Sequence, residues 1–164
     1  MVVGIGGPSQ SGKSTLANTL ADWHIGSVSI IAQDDTIKEE KDIPKIKDRI
    51  DWESPLSIDD RQILGRLQKE IKTFDLVIVE GIFAFSFPEI NDCYTHCIEL
   101  NISKETFFSR RRKETRWGPE PHWYLEHVWK AYKRLKVEPP SPYIVVEDVH
   151  KSANLQQIKS FLEF

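Results

Sequence analysis

The sequence predicts an α/β protein, a three-layer α/β/α sandwich around a five-stranded parallel sheet. Short apolar runs at Val2–Ile5, Val28–Ile31, Phe74–Val79, residues 95–100 and Tyr143–Val146 alternate with amphipathic helical stretches. Strands alternating with helices make βαβ units, whose sheet is covered on both faces. The first run leads into Gly7-Pro8-Ser9-Gln10-Ser11-Gly12-Lys13-Ser14 and Thr15, with Leu16, Ala17, Leu20 and Ala21 beyond at helical spacing. Strand, glycine loop, helix is the arrangement that aims a helix N-terminus at an anion.

That loop fits G-x-x-x-x-G-K-[ST], the Walker A or P-loop pattern. Its backbone N–H groups wrap a polyphosphate, and glycine is needed where the backbone comes close. Lys13 would reach the β- and γ-phosphates, and the Ser14 hydroxyl would ligate Mg²⁺. Gly7, Ser9, Gln10, Ser11, Gly12, Lys13, Ser14 and Thr15 are therefore the candidate phosphate-binding residues.

The 164 residues favour one domain over 1–164, and 40% apolar with 29% charged residues is the balance of a soluble globular chain. A net charge of −3 supplies no basic field, so nucleic acid is not an expected partner. No apolar run approaches the roughly 20 residues of a membrane span. The chain enters a strand within two residues, which leaves no room for a signal peptide. Cys93 and Cys97 lack the companion ligands of a zinc site and read as reduced thiols. A cytoplasmic enzyme, monomer or homodimer, is the expectation.

After the second run come Gln33-Asp34-Asp35. Residues 36–50 are dense in Lys, Asp and Glu and read as a solvated excursion. Asp51-Trp52-Glu53-Ser54 should be extended before Pro55. Ser57-Ile58-Asp59-Asp60 matches a capping box ahead of Ile63, Leu64, Leu67 and Ile71 on one helical face. Glu80-Gly81 closes the strongest strand, and Phe83, Phe85 and Phe87 alternate beyond it. Ser103 is placed to cap a helix carrying Phe107, Phe108 and the basic cluster Arg110-Arg111-Arg112-Lys113, with Arg116 before a Trp117-Gly118-Pro119 break. A lid over about 110–122 is the reading of that cluster.

In doubly wound sheets ligands bind at the carboxyl ends of the strands. Gly7, Asp34-Asp35 and Glu80 end the first three strands in the chain and would meet there. A phosphate cradle beside carboxylates suggests phosphoryl transfer, which depends on positioning and charge neutralisation. Lys13 and the loop hold the phosphates. Ser14 and Glu80 hold the metal. Asp34 takes the proton of the attacking hydroxyl. Arg111 and Arg116 offset charge on the moving group, their planar forks suiting phosphate better than an ammonium does.

Four segments together resemble the uridine kinase and phosphoribulokinase-like group of P-loop kinases, and within it the nicotinamide riboside kinases. They are the P-loop; Ile31-Ala32-Gln33-Asp34-Asp35 with Lys38; Val77 to Phe85; and Arg110 to Arg116 with Trp123-Tyr124, His127-Val128-Trp129, Tyr132 and Arg134. The resemblance implies a P-loop kinase fold with a helical lid. It implies ATP- or GTP-dependent phosphorylation of a nucleoside 5′-hydroxyl, with Mg²⁺. Asp34 then matches the catalytic base and Glu80 a Mg²⁺-associated carboxylate. Asp51 matches an aspartate on the ribose hydroxyls, Arg112 a ribose-contacting arginine, and Arg111 and Arg116 lid arginines. His150-Lys151 falls where such kinases pass the adenine. Ile50 stands before Asp51 where the family carries an aromatic residue, so Trp52 and Trp117 become the candidates to stack on the acceptor base.

The residues leave other readings open: a kinase for pantothenate or a sugar acid, or a regulator that only binds ATP. Asp34 separates the last, because a pure switch needs no acceptor base.

Overall fold

The computed structural model describes residues 1–115, 118–147, 149 and 151–164. Strand β1 (Val2–Gly6) leads through the glycine loop into α1 (Lys13–Trp23), followed by β2 (Val28–Ala32). A two-residue hairpin, β3 (Lys45–Ile46) and β4 (Arg49–Ile50), precedes α2 (Asp60–Glu70) and β5 (Leu76–Gly81). Then come α3 (Pro88–Asn91), β6 (His96–Leu100), α4 (Lys104–Arg111), α5 (His122–Leu135), β7 (Tyr143–Val146) and α6 (Ser152–Leu162). The main sheet is five-stranded and parallel, in the order β2-β5-β1-β6-β7. The five strands expected from the sequence are those that form it.

Successive strand residues point to opposite faces, and β5 shows it. Leu76 and Ile78 join Val3, Ile5, Leu16, Leu20, Ile158 and Leu162 on the α1/α6 side. Val77 and Val79 join Ile31, Ile63 and Leu67 on the α2 side. Both faces are buried, so these strands read as continuous apolar runs. A separate cluster of Phe107, Phe108, Tyr124, Leu125 and Val128 fastens α4 to α5. Phe107 is 1% exposed and its ring centroid lies 5.4 Å from that of Trp129. Phe107→Ala is expected to cost about 3–5 kcal/mol through lost burial and a residual cavity. Denaturant unfolding checks it, and a loss under about 1 kcal/mol would show that this cluster does not hold the two helices.

Three local expectations change. Asp59, not Ser57, caps α2, its carboxylate accepting from the Gln62 N–H at 3.0 Å. Ser57 is instead turned inward and donates to Ser54 O and Trp52 O. The 36–50 excursion is not wholly solvated: Thr36 and Ile43 are buried, and Ile46 of the hairpin packs against the cluster of Phe107, Phe108 and Tyr124. Beyond Gly81 the Phe83–Phe85 stretch turns rather than extending the strand, and both rings are buried.

Candidate active site

The loop between β1 and α1 delivers Gly12 as the helix N-cap with φ 95°, a left-handed conformation that glycine adopts without strain. No side chain caps α1 and its first turn carries no acid. The free N–H groups and the positive end of the helix dipole are thus left for an anion. The Lys13 ammonium donates to Pro8 O at 3.1 Å. Burial lowers its pKa, while the carboxylates of Glu80, Asp34 and Glu53 pull the other way.

A cavity of about 740 Å³ opens at this end of the sheet. Ser9, Gln10, Gly12, Lys13, Ser14 and Thr15 line it, together with Asp34, Glu80 and residues of the 37–58 segment. Three strands contribute, as the fold requires. Asp34 sits in the 3-10 turn Gln33–Thr36 directly after β2. Glu80 is paired in register with Ala32 across the β2–β5 ladder. The Ser14 hydroxyl donates to Glu80 Oε1 at 2.7 Å. Among the described residues no group of three or more His, Cys, Asp or Glu could hold a metal ion. A hydroxyl–carboxylate pair beside a phosphate cradle nevertheless fits Mg²⁺, which keeps several waters and takes its remaining ligands from substrate phosphates.

Arg111, at the end of α4, reaches this cavity. It donates to both oxygens of Glu120, at 2.7 and 2.8 Å, and to Ser9 Oγ at 2.7 Å. The ion pair is largely enclosed, with side-chain exposures of 10% and 8%. Arg110 Nη1 donates to Gln10 O at 2.9 Å, and the Gln10 amide donates to Glu114 at 3.1 Å. The end of α4 therefore lies on the glycine loop.

Two of the residues expected at the site stand apart from the cavity lining. Arg112 does not reach the cavity. Its guanidinium stands 5.6 Å from the Phe108 ring centroid, and it lines a shallow surface with Lys104 and Glu126. Asp51 is likewise not part of the cavity wall. It receives His127 Nε2 at 2.8 Å, and its Oδ1 also accepts the Glu53 N–H at 3.3 Å. Its carboxylate is already engaged in tying the 37–58 segment to α5.

Glu53, which the sequence reading passed over, lines the cavity from this segment, as Glu40 and Asp48 do. It is 4% exposed, and Glu53 Oε2 has no partner among the described residues. Burial pushes its pKa up to about 7, with Asp51 and Glu120 adding to the rise and Arg111 and Lys13 opposing it. The signal was available: Trp52-Glu53 is an aromatic residue followed by an acid, the order that Ile50-Asp51 lacks. Tyr124 and Arg49 also line the cavity. Trp52 lies where expected, in the wall. Gly7 and Ser11 are buried residues of the loop that do not line the cavity, and Lys151 is exposed just before α6, also outside the cavity lining. Arg116, Trp117 and His150 lie outside the described residues.

Comparison with known proteins brings relatives of one kind. The chain is 26% identical over 158 residues to nicotinamide riboside kinase 2 of Mus musculus, covering 84% of this chain and 80% of that protein. The chain is a P-loop kinase related to the nicotinamide riboside kinases. This makes the kinase a phosphotransferase with an alcohol acceptor. Solved structures agree on its fold. A sugar kinase from Janibacter superposes with a TM-score of 0.64 at 18% identity, covering 99% of the kinase and 94% of that chain. A possible uridine kinase from Bacillus stearothermophilus gives 0.52 at 22% identity, covering 90% and 88%. No family model matches the kinase. Among its described residues, no helix is long and apolar enough to cross a membrane.

Proposed function

We propose that the kinase transfers the γ-phosphoryl group of ATP to the 5′-hydroxyl of nicotinamide riboside. The observation that carries the choice of acceptor is the charge that the 37–58 segment brings to the cavity lining. Glu40, Asp48 and Glu53 line it against the single cation Arg49, among the described residues. The pyridinium ring of nicotinamide riboside is cationic, whereas uridine and cytidine are neutral. Opposite charge in a partly enclosed cavity favours the former.

In this reading Lys13 and the loop amides hold the nucleotide phosphates. Ser14 and Glu80 hold Mg²⁺, which when bound neutralises charge on the β- and γ-phosphates. Asp34 accepts the hydroxyl proton as the oxygen attacks. Arg111 meets the charge on the moving phosphoryl group. Glu53 accepts hydrogen bonds from the ribose hydroxyls, the role first given to Asp51, and Trp52 offers its face to the pyridinium. The free thiols of Cys93 and Cys97 suit a reducing, cytoplasmic setting.

A coupled ADP-release screen over nicotinamide riboside, uridine, cytidine, pantothenate, a sugar acid and no acceptor tests this. The expected result is the highest kcat/KM for nicotinamide riboside. Equal or better turnover of uridine would overturn the acceptor. ADP release that no acceptor increases would overturn the kinase reading in favour of a nucleotide-binding regulator.

Glu53→Gln is expected to raise the acceptor KM about 10–100-fold, since hydrogen bonds to a charged group contribute about 1.5–3 kcal/mol. The KM for ATP should stay within about twofold of wild type. Because the folded pKa is raised to about 7, the carboxylate is neutralised as pH falls through that value. Acceptor KM in the wild type should therefore rise on acidification below about pH 7, and in Glu53→Gln this component should vanish. An acceptor KM indifferent to the substitution would move the acceptor contact elsewhere.

A further inference from the structure

The hairpin of β3 and β4 turns through Lys47, whose φ of 53° is left-handed, and Asp48. Three contacts fasten it to the helices beside it. Ile46 packs on the cluster of Phe107, Phe108 and Tyr124. The Lys47 ammonium lies 3.9 Å from the Trp123 ring centroid, and the Arg49 guanidinium 5.5 Å from that of Tyr124. The two residues that follow the fastened Lys47, Asp48 and Arg49, both line the cavity.

Neither has a polar partner. Arg49 is half-buried and Asp48 exposed, and neither side chain makes a hydrogen bond or an ion pair among the described residues. The face of Tyr124 offsets the charge of the guanidinium but takes none of its five N–H donors. The Asp48 carboxylate can only accept. Adjacent residues of a fastened turn thus offer the cavity a free donor and a free acceptor. A primary carboxamide answers both, since its carbonyl oxygen accepts and its NH₂ group donates. A carboxylate would satisfy Arg49 and be repelled by Asp48. A ring with no polar substituent would leave both unanswered.

We infer that Asp48 and Arg49 are specificity-determining residues that read the carboxamide of the acceptor. Arg49 donates to the carbonyl oxygen, and Asp48 accepts from the nitrogen. This rests on the reading of nicotinamide riboside as acceptor. It also gives a task to the one cation that lines the cavity beside Glu40, Asp48 and Glu53. An arginine there would weaken the hold on a pyridinium ring by like-charge repulsion unless it met an acceptor on the same molecule. The carboxamide lies away from the reacting hydroxyl, so the pair acts in the ground state and the transition state alike. Its effect is therefore read in kcat/KM, through KM.

The test uses nicotinamide riboside and two analogues, with the carboxamide replaced by a carboxylate or by hydrogen. In the wild type, kcat/KM for nicotinamide riboside should exceed that for the hydrogen analogue by about 10–100-fold, the range for hydrogen bonds to charged groups. In Arg49→Ala that ratio should fall to within about threefold of unity. In Asp48→Asn the carboxylate analogue should gain on nicotinamide riboside by about tenfold, as the repulsion is removed. A hairpin with a merely structural role would lower all three acceptors alike and leave both ratios where they were. A ratio unmoved in its variant would therefore overturn the proposal. The wild type guards against a variant that does not fold: equal kcat/KM for the three acceptors would overturn it as well. Turnover of uridine with none of the three phosphorylated would instead remove the acceptor reading, and this assignment with it.

Discussion

Asp34→Ala is expected to lower kcat about a thousandfold while leaving ATP binding near the wild-type level. General-base catalysis by a positioned carboxylate contributes about 10²–10⁴-fold. Asp34 has the position: it follows β2 directly, in a turn whose backbone is fixed by the sheet, and it lines the cavity beside the P-loop. The Lys13 ammonium feels its charge, so the carboxylate stands close to where phosphate would lie. It is an exposed residue with little to lose in packing, so the variant should fold normally. Single-turnover transfer to the acceptor and a separate nucleotide-binding titration distinguish the two effects. Undiminished transfer would show that another group takes the proton. Reduced ATP affinity with unchanged kcat would mean that Asp34 serves the phosphates instead.

Arg111→Ala is expected to cost about a thousandfold in kcat, because arginines on the transferring phosphoryl group contribute about 10³–10⁵-fold. The variant also strands Glu120, whose side chain is 8% exposed and whose bidentate partner would be gone. Breaking a buried ion pair from one side destabilises by about 3–5 kcal/mol. Low activity alone could therefore reflect a destabilised fold. The double variant Arg111→Ala with Glu120→Ala removes both charges and should recover most of the lost Tm. Its kcat should remain low. Recovery of kcat together with Tm would reduce Arg111 to a structural brace.

The sheet was legible because its five strands are short, apolar and separated by amphipathic stretches, and two-sided burial writes that pattern directly into composition. The positions of Lys13, Ser14, Asp34 and Glu80 at one cavity followed from the same logic, since strand ends in a parallel sheet converge whatever the loops do. The acceptor side was harder. Arg111 and Arg112 differ in sequence by nothing but helical phase, and only the packing of Phe107 and Phe108 onto α5 decides which one turns inward. Asp51 and Glu53 both sit in an irregular segment, where no periodicity says which carboxylate faces the cavity. His127, far along the chain, engages Asp51 instead. Asp59 displaced Ser57 as the α2 cap for a similar reason: both fit the local pattern, and the path of the preceding chain chose between them.

That bond between His127 and Asp51 reaches further than one carboxylate. It couples α5 to the 37–58 segment that lines the cavity, and Asp51 passes the restraint on to the Glu53 backbone. If the acceptor rests against Glu53 as proposed, its binding loads a strut that is anchored on α5. Occupancy of one substrate half then becomes a mechanical input to the other, and by linkage the influence must run equally in both directions. Acceptor and ATP should each tighten the other's binding, and cutting the strut should leave two independent sites.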